Sequence, residues 1–214
     1  MNNNEVYDRI LVKARRPGDA TLRSNILNEM TEMLSNWERG PFFPWFLEKT
    51  SSGLVTTANV ETVALPSDYL LLVEDTKVWI IQADGTRTYL QRGFHEDMEE
   101  KWNGVSATLP TTFDIFADQI YLGATPDRSD YTIRMKYYKK TTPPPDDTTT
   151  VSNPWVINAQ GLFVSETARR LVANYIKDDK TAQSLEREVA QVRADLFKYN
   201  EARKHVEMDY RVDR

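Results

Sequence analysis

Apolar residues in the first part of the chain recur at helical spacing. Val6, Ile10 and Ala14 fall at i, i+4 and i+8, and Tyr7 and Leu11 widen that face, so the pattern predicts an amphipathic helix. Pro17-Gly18-Asp19 ends it, and Asp19 or Thr21 is placed to cap a second helix. There Leu22, Ile26, Met30, Met33 and Trp37 form one stripe, with Leu27 and Leu34 beside it, until Gly40-Pro41. The stretch PFFPWFLEK that follows is too aromatic to stay in water and too broken by proline to form a regular helix.

From about Leu54 to Lys140 the period shortens to two. GLVTTANVETVALP is rich in Val and Thr, and KVWII and TRTYLQR flank Asp84-Gly85, a hairpin dipeptide. FDIFADQIYLG and DYTIRMKYY add two or three strands; in the latter Tyr131, Ile133, Met135 and Tyr137 alternate with Thr132, Arg134, Lys136 and Tyr138. GFHEDMEEKWN reads as a short polar helix capping one end of the sheet. In VALPSDYLLL, Pro66-Ser67-Asp68 is either a reactive loop or a corner that opens a strand. No motif supplies a histidine partner, so the corner is favoured: Pro fixes φ, and Ser or Asp bonds nearby amides.

TTPPPDDTTTVSNP interrupts the pattern, and its prolines and Asp/Thr run predict an extended connector. Helical spacing then returns. Ile157, Gly161, Val164, Ala168, Leu171 and Tyr175 form a stripe broadened by Leu162, Val172 and Ile176, and after KDDK, where Asp179 is placed to cap, another helix begins. In it Ala182, Leu185, Val189, Val192, Leu196 and Tyr199 are spaced 3, 4, 3, 4, 3, a short coiled-coil-like seam suited to a packed antiparallel pair. The final EARKHVEMDYRVDR alternates charge with Val206, Met208, Tyr210 and Val212 and reads as an arm without a core. The predicted division is 1–48 helices, 49–140 β domain, 141–156 connector, 157–201 helices packing on the first pair, and 202–214 arm. The predicted class is α+β: a bundle of N- and C-terminal helices, an inserted antiparallel β domain and an extended C-terminal arm.

Composition narrows the function classes. The chain has 214 residues, ten Tyr, eight Phe and five Trp, more large flat surface than a small monomer needs. It has no cysteine, which excludes disulfides, thiolate nucleophiles and Cys-based metal sites and fits a reducing compartment. No apolar run approaches the roughly 20 residues that span a bilayer, and MNNNEVYDRI lacks the features of a secretory signal, so synthesis in the cytoplasm is expected. Net charge is −5: acidic and basic residues balance in 1–50, thirteen oppose nine in 51–140, and twelve oppose eleven in 141–214. No segment is basic enough to grip phosphates, although DNA can still slide past such a surface.

Candidate chemistry is sparse. No serine sits in a G-x-S-x-G elbow, and His95-Glu96 starts like H-E-x-x-H but has Glu99 where the second histidine belongs. His205 lies in the charged tail. Glu96, Asp97, Glu99 and Glu100 lack the spacing and glycine of a calcium loop. Asp146-Asp147 and Asp178-Asp179 read as solvated pairs, and the eight glycines stand singly, so no phosphate-cradling loop exists. Phe42 to Phe46, with Trp45, suits a stacking platform or a hydrophobic plug joining the helices to the β part, and the plug is favoured. No catalytic residue, cofactor or metal is assigned.

The order of landmarks then matters. NILNEMTEMLSNW, the aromatic segment, VALPSDYLLL, DQIYLGATPDRSDYTIRMKYYKKTTP, NPWVINA and ARRLVANYIKDDKTAQSLEREVAQ follow one another across roughly residues 5–200. This set resembles the head-to-tail adaptors, or tubular tail A-like connectors, of tailed bacteriophages. The resemblance implies a non-enzymatic virion protein at the head-tail junction, assembled as a ring of twelve copies under the portal protein. Such a ring extends the DNA channel, with only non-specific contact to passing DNA, and offers a surface to the tail nozzle or other tail proteins. By position it implies that Leu185, Val189, Val192 and Leu196 serve the helical bundle or the seam between subunits. Val206, Met208, Tyr210 and Val212 would then lie in a portal-docking arm. The competing readings are a tail-associated cell-wall hydrolase using carboxylates such as Glu99 and Glu100, and a glycan- or receptor-binding tail module on the β part.

Overall fold

A computed structural model describes residues 1–74 and 76–212, with side chains through residue 203. The chain forms two compact units, Met1–Leu47 with Thr141–Arg214, and Glu48–Lys140.

In the first unit, α1 (Asn3–Lys13) is capped by Asn2, whose side chain accepts from the Glu5 amide, and buries Val6, Tyr7, Ile10 and Leu11. Asp19 accepts from the amides of Thr21 and Leu22 to start α2 (Ala20–Glu38), which buries Ile26, Met30, Met33 and Leu34. A 3₁₀ turn at Trp45–Leu47 ends the N-terminal part of this unit. Because the helical elements there are set by spacing and caps, both stripes emerge, except that Leu27, expected beside the second, is 41% exposed. On the C-terminal side, α4 (Pro154–Asn158) has Pro at its first position and Asn153 as its cap. The α5 helix (Gln160–Leu171) packs on α1, α2 and α6. It passes into a π-helical segment, Val172–Ile176, closed by Lys177 at φ 56°. Asp178, not Asp179, then opens α6 (Asp179–Val212) through its bonds to Thr181.

The second unit is built from ten short strands. They are β1 (Glu48–Thr50), β2 (Leu54–Val55), β3 (Thr62–Ala64), β4 (Tyr69–Leu72), β5 (Val78–Ile81), β6 (Arg87–Arg92), β7 (Thr112–Phe116), β8 (Gln119–Leu122), β9 (Thr132–Arg134) and β10 (Lys136–Lys139). Seven form a sheet in the order β2-β9-β5-β6-β7-β8-β3, and because its edge strands β2 and β3 touch, the sheet is nearly closed and barrel-like. The other three form a small sheet, β1-β10-β4. The interior holds Ile80, Ile120, Ile133 and Met135, all without solvent exposure, ringed by Val78, Leu90, Phe113 and Tyr137. Each such aliphatic side chain removed from water contributes about 1.5–3 kcal/mol.

The two sheets are joined by one bent ladder. DYTIRMKYY keeps its alternation, but it divides at Met135 into β9 and β10, while Ser51–Gly53 divides the opposite strand into β1 and β2. Ser51 holds the bend: its amide donates to Met135 O at 2.9 Å, and its hydroxyl accepts from the Met135 amide at 3.0 Å.

The predicted fold class requires correction. The α+β label stands, but a bundle of terminal helices framing an inserted antiparallel domain does not describe the molecule. The largest organised element is the barrel-like sheet with its own core. That sheet is not purely antiparallel: β6 and β7 run parallel, Gln91 opposite Thr112 and Arg92 opposite Phe113. A parallel neighbour needs a crossover, and here it runs through α3 (His95–Trp102), so helices are not confined to the two ends of the chain. Nor is there an extended arm, because α6 remains helical through Val212. No Gly or Pro occurs between Asp179 and Val212, so nothing in the backbone stops it.

Candidate functional site

Three of the sequence-selected features are surfaces of the helical unit. Along α6, Leu185 and Val189 are buried, facing α5, whereas Val192 and Leu196 are half-buried. The seam therefore opens toward the C-terminus, and Tyr199, read as its last member, is 59% exposed. The side chains of Val206, Met208, Tyr210 and Val212, like that of His205, lie outside the described residues.

Where the seam opens, aromatics take over. Phe42 meets Phe197 at 5.3 Å between ring centroids, Phe46 meets Trp155 edge-on at 5.1 Å, and Trp37 meets Trp155 at 4.4 Å. The aromatic segment thus lies against α2, α4 and α6 rather than forming a flat platform. It also holds α6 in place: buried Asn200 accepts from the Trp45 amide at 2.9 Å, and the Arg203 guanidinium lies 3.8 Å from the Trp45 ring centre. Beside Phe197, which is half-exposed, a groove of about 610 Å³ runs between α5 and α6, lined by Val189, Ala190, Arg193, Ala194 and Lys198 among others. A second depression of about 270 Å³ reaches Trp37 and Trp155 and shares Arg193 and Phe197 with the first.

Charged groups cross-link the helices beneath this surface. Glu29, 3% exposed, accepts from Arg170 at 2.9 Å and from Asn174 at 2.7 Å, and Arg170 also reaches Glu32. Glu188 of α6 takes Lys13 of α1 at 2.6 Å and Ser165 of α5 at 2.8 Å. Burial pushes its carboxyl up, but those two bonds outweigh it and its pKa falls.

The connector is fastened rather than free. Asp146 accepts from Nε and Nη2 of Arg23, at 2.8 and 2.7 Å, while Nη1 reaches Asp8, and Asp147 accepts from Asn3 at 2.8 Å and from Thr149. The Tyr7 hydroxyl donates to Pro144 O, and its pKa is raised to about 12, first by burial and then by Asp146. Reading this acidic pair as merely solvated is therefore mistaken. Arg23 and Asn3, which tie the pair to the helices, stand more than 120 residues away, beyond any local signal.

In the β unit, Asp68 proves to be a corner residue of the small sheet. Its Oδ1 accepts from the Tyr137 hydroxyl of β10 at 2.7 Å, its Oδ2 from Lys49 of β1 at 2.8 Å, and its backbone O from the Lys140 amide at 2.7 Å. The chain turns just before it, with the Tyr69 amide donating to Pro66 O. Burial raises the carboxyl's pKa and the bonds from Lys49 and Tyr137 lower it, with a net fall. Both carboxylate oxygens are committed to the scaffold.

His95 stacks on Phe116 at 4.8 Å, meets Tyr121 at 4.4 Å and lies 3.3 Å from Glu99. A depression of about 440 Å³ opens there, lined by Glu61, Met98 and Trp102 as well. Glu99 lines this depression too, whereas Glu96, Asp97 and Glu100 are exposed on α3, and beside them Phe94, its N-cap, is 76% exposed. Among the described residues no three His, Asp or Glu side chains stand close enough to hold a metal ion. Sequence reasoning missed Phe94 and Phe197. Each lies next to a residue that fits a pattern, His95 and Leu196, and only its exposure sets it apart.

Exposed aromatic rings on a fastened scaffold, with no metal cluster among the described residues, make this a protein of contact surfaces. The family model described as SU10 adaptor protein matches residues 1–211, and the chain belongs to that family. It is accordingly a phage structural protein of the head-to-tail adaptor kind, a virion component whose family associates with other phage structural proteins such as portal and tail. No individually curated protein matches the chain. Among the described residues no helix is long and apolar enough to cross a membrane.

Proposed function

We propose that this protein assembles as a ring of copies beneath the phage portal, extends the DNA channel and offers a docking surface to tail proteins. The observation that carries the reading is the adaptor family match over residues 1–211. Two features support it. The helical unit keeps half-exposed Phe197 and Tyr199 on α6, a surface suited to contact between subunits. The acidic balance, −5 in net charge, suits a channel wall that must release DNA rather than hold it. Twelve is the copy number proposed.

Leu185 and Val189 hold α6 to its own unit, and Val192 and Leu196 border the contact between subunits. The end of α6, carrying Val206, Met208, Tyr210 and Val212, is the proposed portal contact, as a helix rather than an extended arm. The test mixes purified chain with portal rings and examines the product by electron microscopy. A second ring under the portal is expected. Removing residues 204–214, which spares the Arg203–Trp45 contact, should abolish docking. A chain that never decorates the portal would overturn the reading.

A further inference from the structure

Two exposed apolar sites on this chain carry opposite charge. On α6, half-exposed Phe197 borders the groove over Ala190 and Ala194, with Arg193 and Lys198 at its edge. No ion pair to Arg193 or Lys198 occurs among the described residues, whereas Arg169 at the opposite wall is already held by Glu166 at 2.7 Å. In the β unit, the Phe94 ring stands 76% exposed at the start of α3, and Glu96, Asp97 and Glu100 are exposed on the following turns. One site is a recess lined by Ala190 and Ala194, where, beyond the Glu166–Arg169 pair, Arg193 and Lys198 outnumber the single carboxylate Glu186. The other is a protruding ring with anions behind it.

We propose that Phe94 of one copy seats in the α5–α6 groove of the next copy, with Glu96 and Asp97 facing its Arg193 and Lys198. This rests on the ring reading and adds which surfaces meet. The two surfaces differ, so the contact is heterologous: each copy gives a knob to one neighbour and a groove to the other. Such contacts close into rings when the rotation permits. A self-complementary pairing through α6 alone would instead stop at dimers.

The absence of cysteine makes the test clean. Phe94→Cys and Ala194→Cys, both at exposed positions, introduce thiols that join only where their Cα atoms come within about 7 Å. Mixing the two single variants on portal rings under mild oxidation should give one covalent dimer containing both chains. The double variant should give a ladder of covalent oligomers. Arg193→Glu with Lys198→Glu should cut the yield at least tenfold, and adding Glu96→Lys with Asp97→Lys should restore it.

The outcomes separate the two levels of the argument. Portal-bound rings visible by microscopy without cross-linking, or homodimers of the Ala194→Cys variant alone, would overturn this interface and leave the ring intact. A chain that neither forms rings nor cross-links would overturn both. Cross-linking that ignores the charge reversals would refute the electrostatic pairing.

Discussion

Asp68 offers the sharpest quantitative test of the scaffold, because one carboxylate ties together all three strands of the small sheet. Removing it by Asp68→Ala deletes a hydrogen bond from Tyr137, which is 1% exposed. A bond to a charged acceptor contributes about 1.5–3 kcal/mol. The Lys49 pair adds less: the lysine side chain is 47% exposed, so screening limits it to about 0–1 kcal/mol. The expected loss is therefore about 2–3 kcal/mol, local to β1, β4 and β10. Tyr137→Phe should lose about 1–2 kcal/mol, since Asp68 is partly accessible and water replaces the donor.

The double variant should then reveal a coupling of about 1–2 kcal/mol between the two positions. Hydrogen exchange of the β1, β4 and β10 amides in the full chain reads this local stability directly. Acidity provides an independent check. The folded carboxyl has a lowered pKa, so its contribution is complete above the ordinary value near ~3.9 and disappears as pH falls through the lower folded value. The wild-type advantage over Asp68→Asn should accordingly be constant from pH 7 to about 5 and shrink below about 4. A coupling under about 0.5 kcal/mol, or an advantage unchanged at pH 3, would refute the latch.

Three further outcomes are expected. Ala117 and Asp118 both have positive φ, 48° and 59°, between β7 and β8; Ala117→Gly should stabilise the hairpin by about 0.5–1 kcal/mol, read as a raised melting temperature. A side chain at Gly123 would place its Cβ 1.7 Å from Thr112 Oγ1 and 2.6 Å from Trp102 Nε1, so Gly123→Ala should cost about 2 kcal/mol or more in urea unfolding. Glu29→Ala should cost about 3 kcal/mol by the same measurement, because it strips Arg170, whose side chain is only 15% exposed, of a buried acceptor that exposed Glu32 cannot replace. A loss below about 1 kcal/mol would mean that this network is solvated.

What the sequence showed and what it hid follow from the range of the forces involved. The α1 and α2 stripes, the Asp19 cap and the turn at Asp84-Gly85, where Thr86 donates to Asp84 Oδ1, depend on neighbours within one or two turns. Periodicity and capping rules reach that far. The division of DYTIRMKYY at Met135 does not appear in those nine residues, because Ser51 on the opposite strand imposes it. The parallel pairing of β6 with β7 is likewise set by the closure of the sheet, not by anything near Arg92. The helical end of the chain was hidden for another reason: its apolar stripe fades into alternating charge, although no residue there opposes a helix. At the surfaces, the seam positions Leu185 and Val189 were legible from spacing. The exposure of Phe94 and Phe197 follows from which neighbours fold away from them.

An unbroken α6 has a mechanical consequence. At 1.5 Å per residue, its 34 residues span about 51 Å. A rod of that length fixes distance as well as identity: it keeps its two ends a set number of turns apart, as a flexible tether cannot. It works as a ruler within the subunit. Inserting seven residues would lengthen it by about 10 Å while nearly preserving which face looks where. Spacing and recognition can then be altered separately in this protein.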